Sequence, residues 1–439
     1  MSKQLKQSSV RRAPARVGAS PAAKSAGGRP ASAKPASTKP AGGRPPGAKA
    51  ARVGLALAGG GPLAAVYEIG ALAALEEAVD GLDLTEAEVY VGVSAGGIIA
   101  AGLANGVTPR QMCRLFIESD VAAVDGAVLF KPETLLRPAC DEFEKRVAAL
   151  PGLLAGSLVH YWGGNGSLAA SFERMKEALP AGFFTGDAIG EFLRASFAQA
   201  GRSDDFRRLR HKLVIVATDL DTGKPVRFGT PGRDHVPISR AVQASAAVPG
   251  LFPPVEIDGE HFVDGALRKT MHASIALEHG VDLLLCVNAI VPYNAGIRAG
   301  ARKLASGGLV DVLAQTLRAI LHSRLETGMA GYRVSHPEVD ILLFQPGEDD
   351  AEMFFSNIFS YNNRRRMCEL AYQNTRLMLW QQRATLGPKL ARHGLRLNLA
   401  VLRDTSLSLV SQTPARKALA RLEATLDDLE RYLKVAHGI

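Results

Sequence analysis

Residues 53–96 read VGLALAGGGPLAAVYEIGALAALEEAVDGLDLTEAEVYVGVSAG. VGLALA (53–58) is a short apolar run that ends in three glycines, which suits a buried strand followed by a turn. From Leu63 to Val79 apolar residues recur at helical spacing, at Leu63, Val66, Ile69, Leu72 and Leu75. VYVGV (89–93) is a second β-branched run, and AGGIIAAGLAN (95–105) a second apolar helix. Strand and helix alternating over some fifty residues predict parallel strands joined by crossover helices, hence an α/β sheet.

Working along the chain, KLVIVATDL (212–220) and VDLLLCVNAIV (281–291) read as further buried strands. GKPVRF (223–228) suits a hairpin partner of the first, and VDILLFQP (339–346) a last strand. HFVDGAL (261–267) leads into a helix. Residues 106–210 are less regular and read as a cap-like insertion. Within them the apolar, glycine-broken PGLLAGSLVHYWGGNGSLAA (151–170) suits a substrate-facing loop. The expected division is a basic tail (1–52), a catalytic domain (53–291) and a mainly helical extension (292–439). Near the end Leu419, Leu422, Leu426, Leu429 and Leu433 make a heptad-type stripe. It is too short for a free coiled coil and suits packing on the body.

The net charge of +9 is unevenly placed. Residues 1–52 hold twelve Lys or Arg and no acid; the remaining forty basic residues face forty-three acidic ones, a net of −3. The tail is built of Ala, Pro, Gly, Ser and spaced cations, and buries too little to offset its ordering entropy, so disorder is expected. It suits either a solvated tail that aids solubility or docking to an anionic surface: a membrane, a lipid-coated granule or, less readily, nucleic acid. Its composition also resembles a transit peptide, and it holds no apolar signal region. Cys113, Cys140, Cys286 and Cys368 are scattered without a CxxC and read as reduced core thiols. The expected location is the cytoplasm, with peripheral membrane attachment through the tail.

Three motifs carry chemistry. Gly59-Gly60-Gly61 places unhindered N–H groups at a helix start, a place that stabilises negative charge. A dinucleotide pyrophosphate or the oxyanion of an acyl-transfer intermediate would suit it. A dinucleotide site wants an acid at the end of the second strand. That strand instead runs into Gly92-Val93-Ser94-Ala95-Gly96, and Glu88 precedes it, which disfavours the cofactor. A GxSxG turn between strand and helix is the setting of a nucleophile elbow, although glycines also crowd ordinary strand–helix turns. Ser94 needs a base. None of the ten histidines sits in a recognisable triad context; His261 and His272 merely flank Asp264-Gly265-Ala266. A lone Asp-Gly is ordinarily a turn, yet Asp264 bonded directly to Ser94, its pKa raised by burial, is the simpler base.

Taken together, GGGPLAAVYEIGALAALEE, GVSAGG and FVDGA resemble the patatin-like phospholipase family, supported by VATDLDTGKPVRF and ISRAVQASAAVPGLFPPVEIDGEHFVDGAL. The agreement runs from about residue 53 to 291. The resemblance implies a three-layer α/β/α sandwich with a mostly parallel central sheet. It implies a Ser94–Asp264 dyad with the Gly59, Gly60 and Gly61 amides as oxyanion hole, acting on lipid acyl esters without metal or organic cofactor. Transfer of the acyl group to another acceptor, or a weakly active binding scaffold, are the alternatives. Two departures stand out. Pro62, Leu63 and Ala64 occupy the places where the family loop GGGxRG continues with its arginine and glycine. RKTMHAS follows the Asp-Gly where relatives carry Asn-x-Pro, which could bring His272 to the site.

Overall fold

The computed structural model describes residues 51–117, 137, 181–296, 304–348, 350, 361–410 and 425. The first strand, β1 (Val53–Leu57), alternates its side chains between two cores. Leu55 and Leu57 face one, Ala56 and the following Ala58 the other. Helix α1 (Gly61–Ala78) starts two residues earlier than apolar periodicity indicates, because Pro62 sits in its first turn with φ already suited to a helix. Then come β2 (Val89–Val93), α2 (Ala95–Ala104) and α3 (Pro109–Phe116), the last opened by a capping box between Thr108 and Gln111. Helix α4 (Asp187–Phe197) precedes β3 (Lys212–Asp219) and its antiparallel partner β4 (Pro225–Phe228).

Helix α5 (Ile238–Ser245) leads to a hairpin of β5 (Val255–Ile257) and β6 (Glu260–Asp264). Asp258 and Gly259 turn it with φ of 55° and 80°, a two-residue turn of the kind Asp-Gly favours. After β6 comes a single 3₁₀ turn, Gly265–Leu267, capped by the Asp264 side chain, and only later the short helix α6 (Ser274–Glu278). Strand β7 (Leu283–Val287) is shorter than its apolar run. Buried Asn288 bonds both the N–H and the carbonyl of Ile290 through its side chain and bends the chain out of the ladder. Beyond it lie α7 (Gly308–Ser335), β8 (Asp340–Phe344), α8 (Tyr361–Gln381), α9 (Arg383–Arg392) and α10 (Leu399–Arg403).

Among the described residues the main sheet has eight strands. Strands β3, β2, β1, β7 and β8 run parallel in that order, so the strand at 340–344 extends the sheet past residue 291. One face carries α1, α2 and α8, with Tyr67, Leu72, Ile99, Met367 and Cys368 in its core. The other carries α6 and part of α7, through Ile275, Ala276, Leu325 and Met329. The protein is therefore an α/β/α sandwich with a mostly parallel central sheet and a helical C-terminal region. Cys113, Cys286 and Cys368 are free and buried. The tail up to residue 50, the 151–170 loop, Cys140 and the 419–433 stripe lie outside the described residues, apart from Thr425.

Registers along β3 matter most for the site. Val216 pairs with Val93 of β2 and with Arg227 of β4, whereas Ala217 pairs with Val226 of β4 and with Asp264 of β6. A strand has two edges, so β4 occupies one and β2 and β6 share the other. Strand β2 runs with β3 and stops at Val93; β6 runs against it and stops at Asp264. Their C-terminal ends meet head to head.

Candidate active site

Ser94 follows β2 directly and holds φ 52°, ψ −121°, a backbone conformation costly for a side-chain-bearing residue. Such strain is the signature of a nucleophile elbow, where a sharp turn lifts the hydroxyl clear of the strand end. The flanking glycines are there because backbone crowds them. A β-carbon at Gly96 would stand 2.5 Å from the Leu57 carbonyl oxygen, and Gly92 packs as tightly on Gly97. At Gly265 it would stand 2.1 Å from the Val216 carbonyl oxygen, where β2 and β6 meet.

Asp264 is buried, and burial pushes its carboxyl up to about 6; hydrogen bonds from the Ser94 side chain and the Ala266 N–H oppose that rise. The Ala266 bond is 2.8 Å long. The Asp264 main chain is anchored as well, its N–H donating to Ala247 O at 3.0 Å and its carbonyl accepting from Thr218 Oγ1 at 3.1 Å.

The glycine loop stands against the same group of atoms. A β-carbon at Gly59 would meet Ser94 Cβ at 3.2 Å and Ala266 Cβ at 2.9 Å. The Gly59 N–H, however, donates to Thr270 O at 3.0 Å, so the structure narrows the expected trio of oxyanion donors. Gly60 (φ 150°) and Gly61 (φ 68°) open α1, and Ala95 opens α2. None of these three amides bonds an acceptor among the described residues. Two helix N-termini thus converge beside Ser94, and their unpaired N–H groups favour an anion. Leu63, where the family loop has its arginine, packs against the core below α1.

His272 is brought near but not into the pair. It is buried at φ 51°, with Nε2 3.4 Å from Gly265 O, and burial holds its imidazole down at about 4, hence neutral. His261, on β6, is exposed. Glu88 lies at the opposite end of the sheet, its N–H bonded to Val53 O at the start of β1.

Two positioning residues were not foreseen. Ser245, fully buried at the end of α5, accepts the Ser94 N–H at 2.8 Å and donates to Val216 O at 2.6 Å. It thereby tethers the strained elbow to β3. Thr270, buried in the turn after Asp264, supplies the carbonyl that engages Gly59 and donates through Oγ1 to Leu321 O of α7 at 3.3 Å. The small-residue run Ala244-Ser245-Ala246-Ala247 was the only trace of the first in the sequence.

With this geometry in view, the model of the patatin-like phospholipase family matches residues 55–277. The chain belongs to that family, and membership places it among lipid hydrolases. Solved structures similar to it include VipD from Legionella pneumophila, at 16% identity over 76% of this chain and 67% of that one, with a TM-score of 0.35. The type III effector ExoU matches at 17% identity over 76% of this chain and 53% of its own, with a TM-score of 0.30. ExoU of Pseudomonas aeruginosa in complex with SpcU matches over 64% and 52%, with a TM-score of 0.25 and 17% identity.

Proposed function

We propose that the protein hydrolyses lipid acyl esters through a dyad of Ser94 and Asp264. Ser94 Oγ attacks the ester carbonyl carbon while its proton passes to Asp264. The carbonyl oxygen, now negative, is held by the Gly60, Gly61 and Ala95 amides. The C–O bond to the alcohol breaks, and the alcohol leaves with the proton from Asp264. Water then attacks the acyl-Ser94 ester, again giving a proton to Asp264, which returns it to Ser94 as the fatty acid leaves. No histidine or metal takes part. The observation that carries this reading is the head-to-head meeting of β2 and β6, which sets a strained serine beside a buried carboxyl whose pKa lies near 6.

Two further elements belong to the proposal. The apolar 151–170 segment admits the acyl chain, and the basic tail holds the enzyme on an anionic membrane or granule surface. The test is labelling by a fluorophosphonate probe together with turnover of a short-chain ester. Wild type should label and turn over. Ser94→Ala should do neither, and Asp264→Asn should lose at least about 10³-fold in kcat. Undiminished turnover by Ser94→Ala would end the assignment.

A further inference from the structure

Helix α7 presents an apolar stripe to the outside. Leu313, Leu317 and Ile320 are 58%, 49% and 52% exposed. At 100° per residue they fall within one narrow arc, which Arg324 continues one turn further on. Leu321, His322, Leu325 and Met329 of the helix are buried instead, Leu325 and Met329 in the core on this face of the sheet. Single exposed leucines need no explanation, but three in register on one helix face do.

The stripe adjoins the candidate site. Arg324 donates to Leu267 O at 3.2 Å, tying it to the turn that follows Asp264, and Leu267 is itself 40% exposed. One turn back, Leu321 O accepts from Thr270, whose own carbonyl holds Gly59. The chemistry and the stripe thus share one loop, 265–270. Cations stand at the end of the stripe nearest the site: Arg268 and Lys269 follow Leu267, Arg324 continues the arc, and all three are exposed. Among the described residues no carboxylate falls in the arc that carries Leu313, Leu317, Ile320 and Arg324. An apolar stripe that ends in exposed cations matches a surface of acyl chains beneath anionic headgroups.

We propose that this face, Leu313, Leu317, Ile320 and Leu267 with Arg268, Lys269 and Arg324 at its site-facing end, rests on an anionic lipid bilayer and brings the candidate site to it. The proposal builds on the lipid-hydrolase reading and names the surface from which substrate is drawn. The leucines enter the headgroup boundary, while the cations stay at phosphate level. Their contributions respond differently to salt: the cationic part is screened and the apolar part persists.

The test is binding of the full chain to phosphatidylcholine vesicles with and without phosphatidylglycerol, at low and high salt, beside turnover of a soluble short-chain ester. Leu313→Asp/Leu317→Asp should weaken vesicle binding at least about tenfold, including at high salt where the basic tail is screened, since the apolar contribution of the two leucines is lost. Its soluble-ester turnover should stay within about twofold of wild type. If that variant misfolds, Leu317→Cys carrying an environment-sensitive fluorophore replaces it, and a blue shift on vesicles is expected. Undiminished vesicle binding by the double variant, or an unshifted fluorophore, overturns the proposal. So does a wild-type dimer in sedimentation that the double variant abolishes, which would make the stripe a contact between two copies. Loss of soluble-ester turnover in wild type would sink the dyad and leave the vesicle result standing on its own.

Discussion

In the proposed dyad the buried Asp264 carboxyl is the group that takes the Ser94 proton, and its elevated pKa predicts a pH signature for the reaction. A general base works only when ionised, so kcat/KM for a soluble ester should rise through about pH 6 and level off above it. A profile flat from about pH 5 to about pH 8 would remove Asp264 from the role. His272, neutral throughout that range, adds no second inflection. Ser245 makes a different prediction. Ser245→Ala strands a buried N–H at the elbow, which costs about 1–3 kcal/mol of stability in a urea melt, and kcat should fall more than KM changes. Ser94, Asp264 and the motif glycines could be read from the sequence because close backbone approach leaves only glycine at fixed offsets. Ser245 could not, because its bond to Ser94 spans 151 residues and no local spacing encodes such a partner.

Among the elements, the parallel strands and their helices were foreseen because each is a continuous apolar run or a clean helical period. Strand β5 was not, being three residues long, although the Asp258-Gly259 turn that pairs it with β6 carries the dipeptide signal for a hairpin. The end of β7 was also misplaced, since apolar character continues to Val291 while Asn288 has already turned the chain. Contact between α1 and α8 has no sequence signature beyond a glycine. A β-carbon at Gly70 would stand 2.3 Å from the Cys368 carbonyl oxygen and 2.9 Å from Ala371 Cβ. Gly70→Ala should therefore push the two helices apart, at a cost of about 1–3 kcal/mol despite alanine's better helix propensity. A denaturant midpoint equal to wild type would show that the contact can relax freely.

Buried titratable groups make the stability of the protein as a unit depend on pH. Glu68 of α1 is fully buried, neither carboxyl oxygen has a hydrogen-bond partner among the described residues, and burial raises its pKa well above the ordinary value. Asp264 is raised to about 6. At these two acids the folded state therefore binds more protons than the unfolded chain once pH passes the ordinary carboxyl range. Their contribution is complete below that range and is lost as pH rises through the folded values, for Asp264 by roughly 3 kcal/mol. His272, held down at about 4, pulls the other way over the same interval, so the acids are read by difference. Relative to wild type, the urea midpoint of Glu68→Gln with Asp264→Asn should gain from about pH 4 to about pH 7, and a difference that stays constant over that interval would show that neither acid takes part. None of the described helices is long and apolar enough to cross a membrane. Strand β3 has a consequence of its own. Because β2 and β6 abut along one of its edges, main-chain hydrogen bonds act as a ruler that sets the spacing of serine and aspartate. A ruler of that kind is indifferent to whatever loops stand above it. Changes made elsewhere in the chain that leave β2, β3 and β6 paired then leave the spacing of Ser94 and Asp264 as it is.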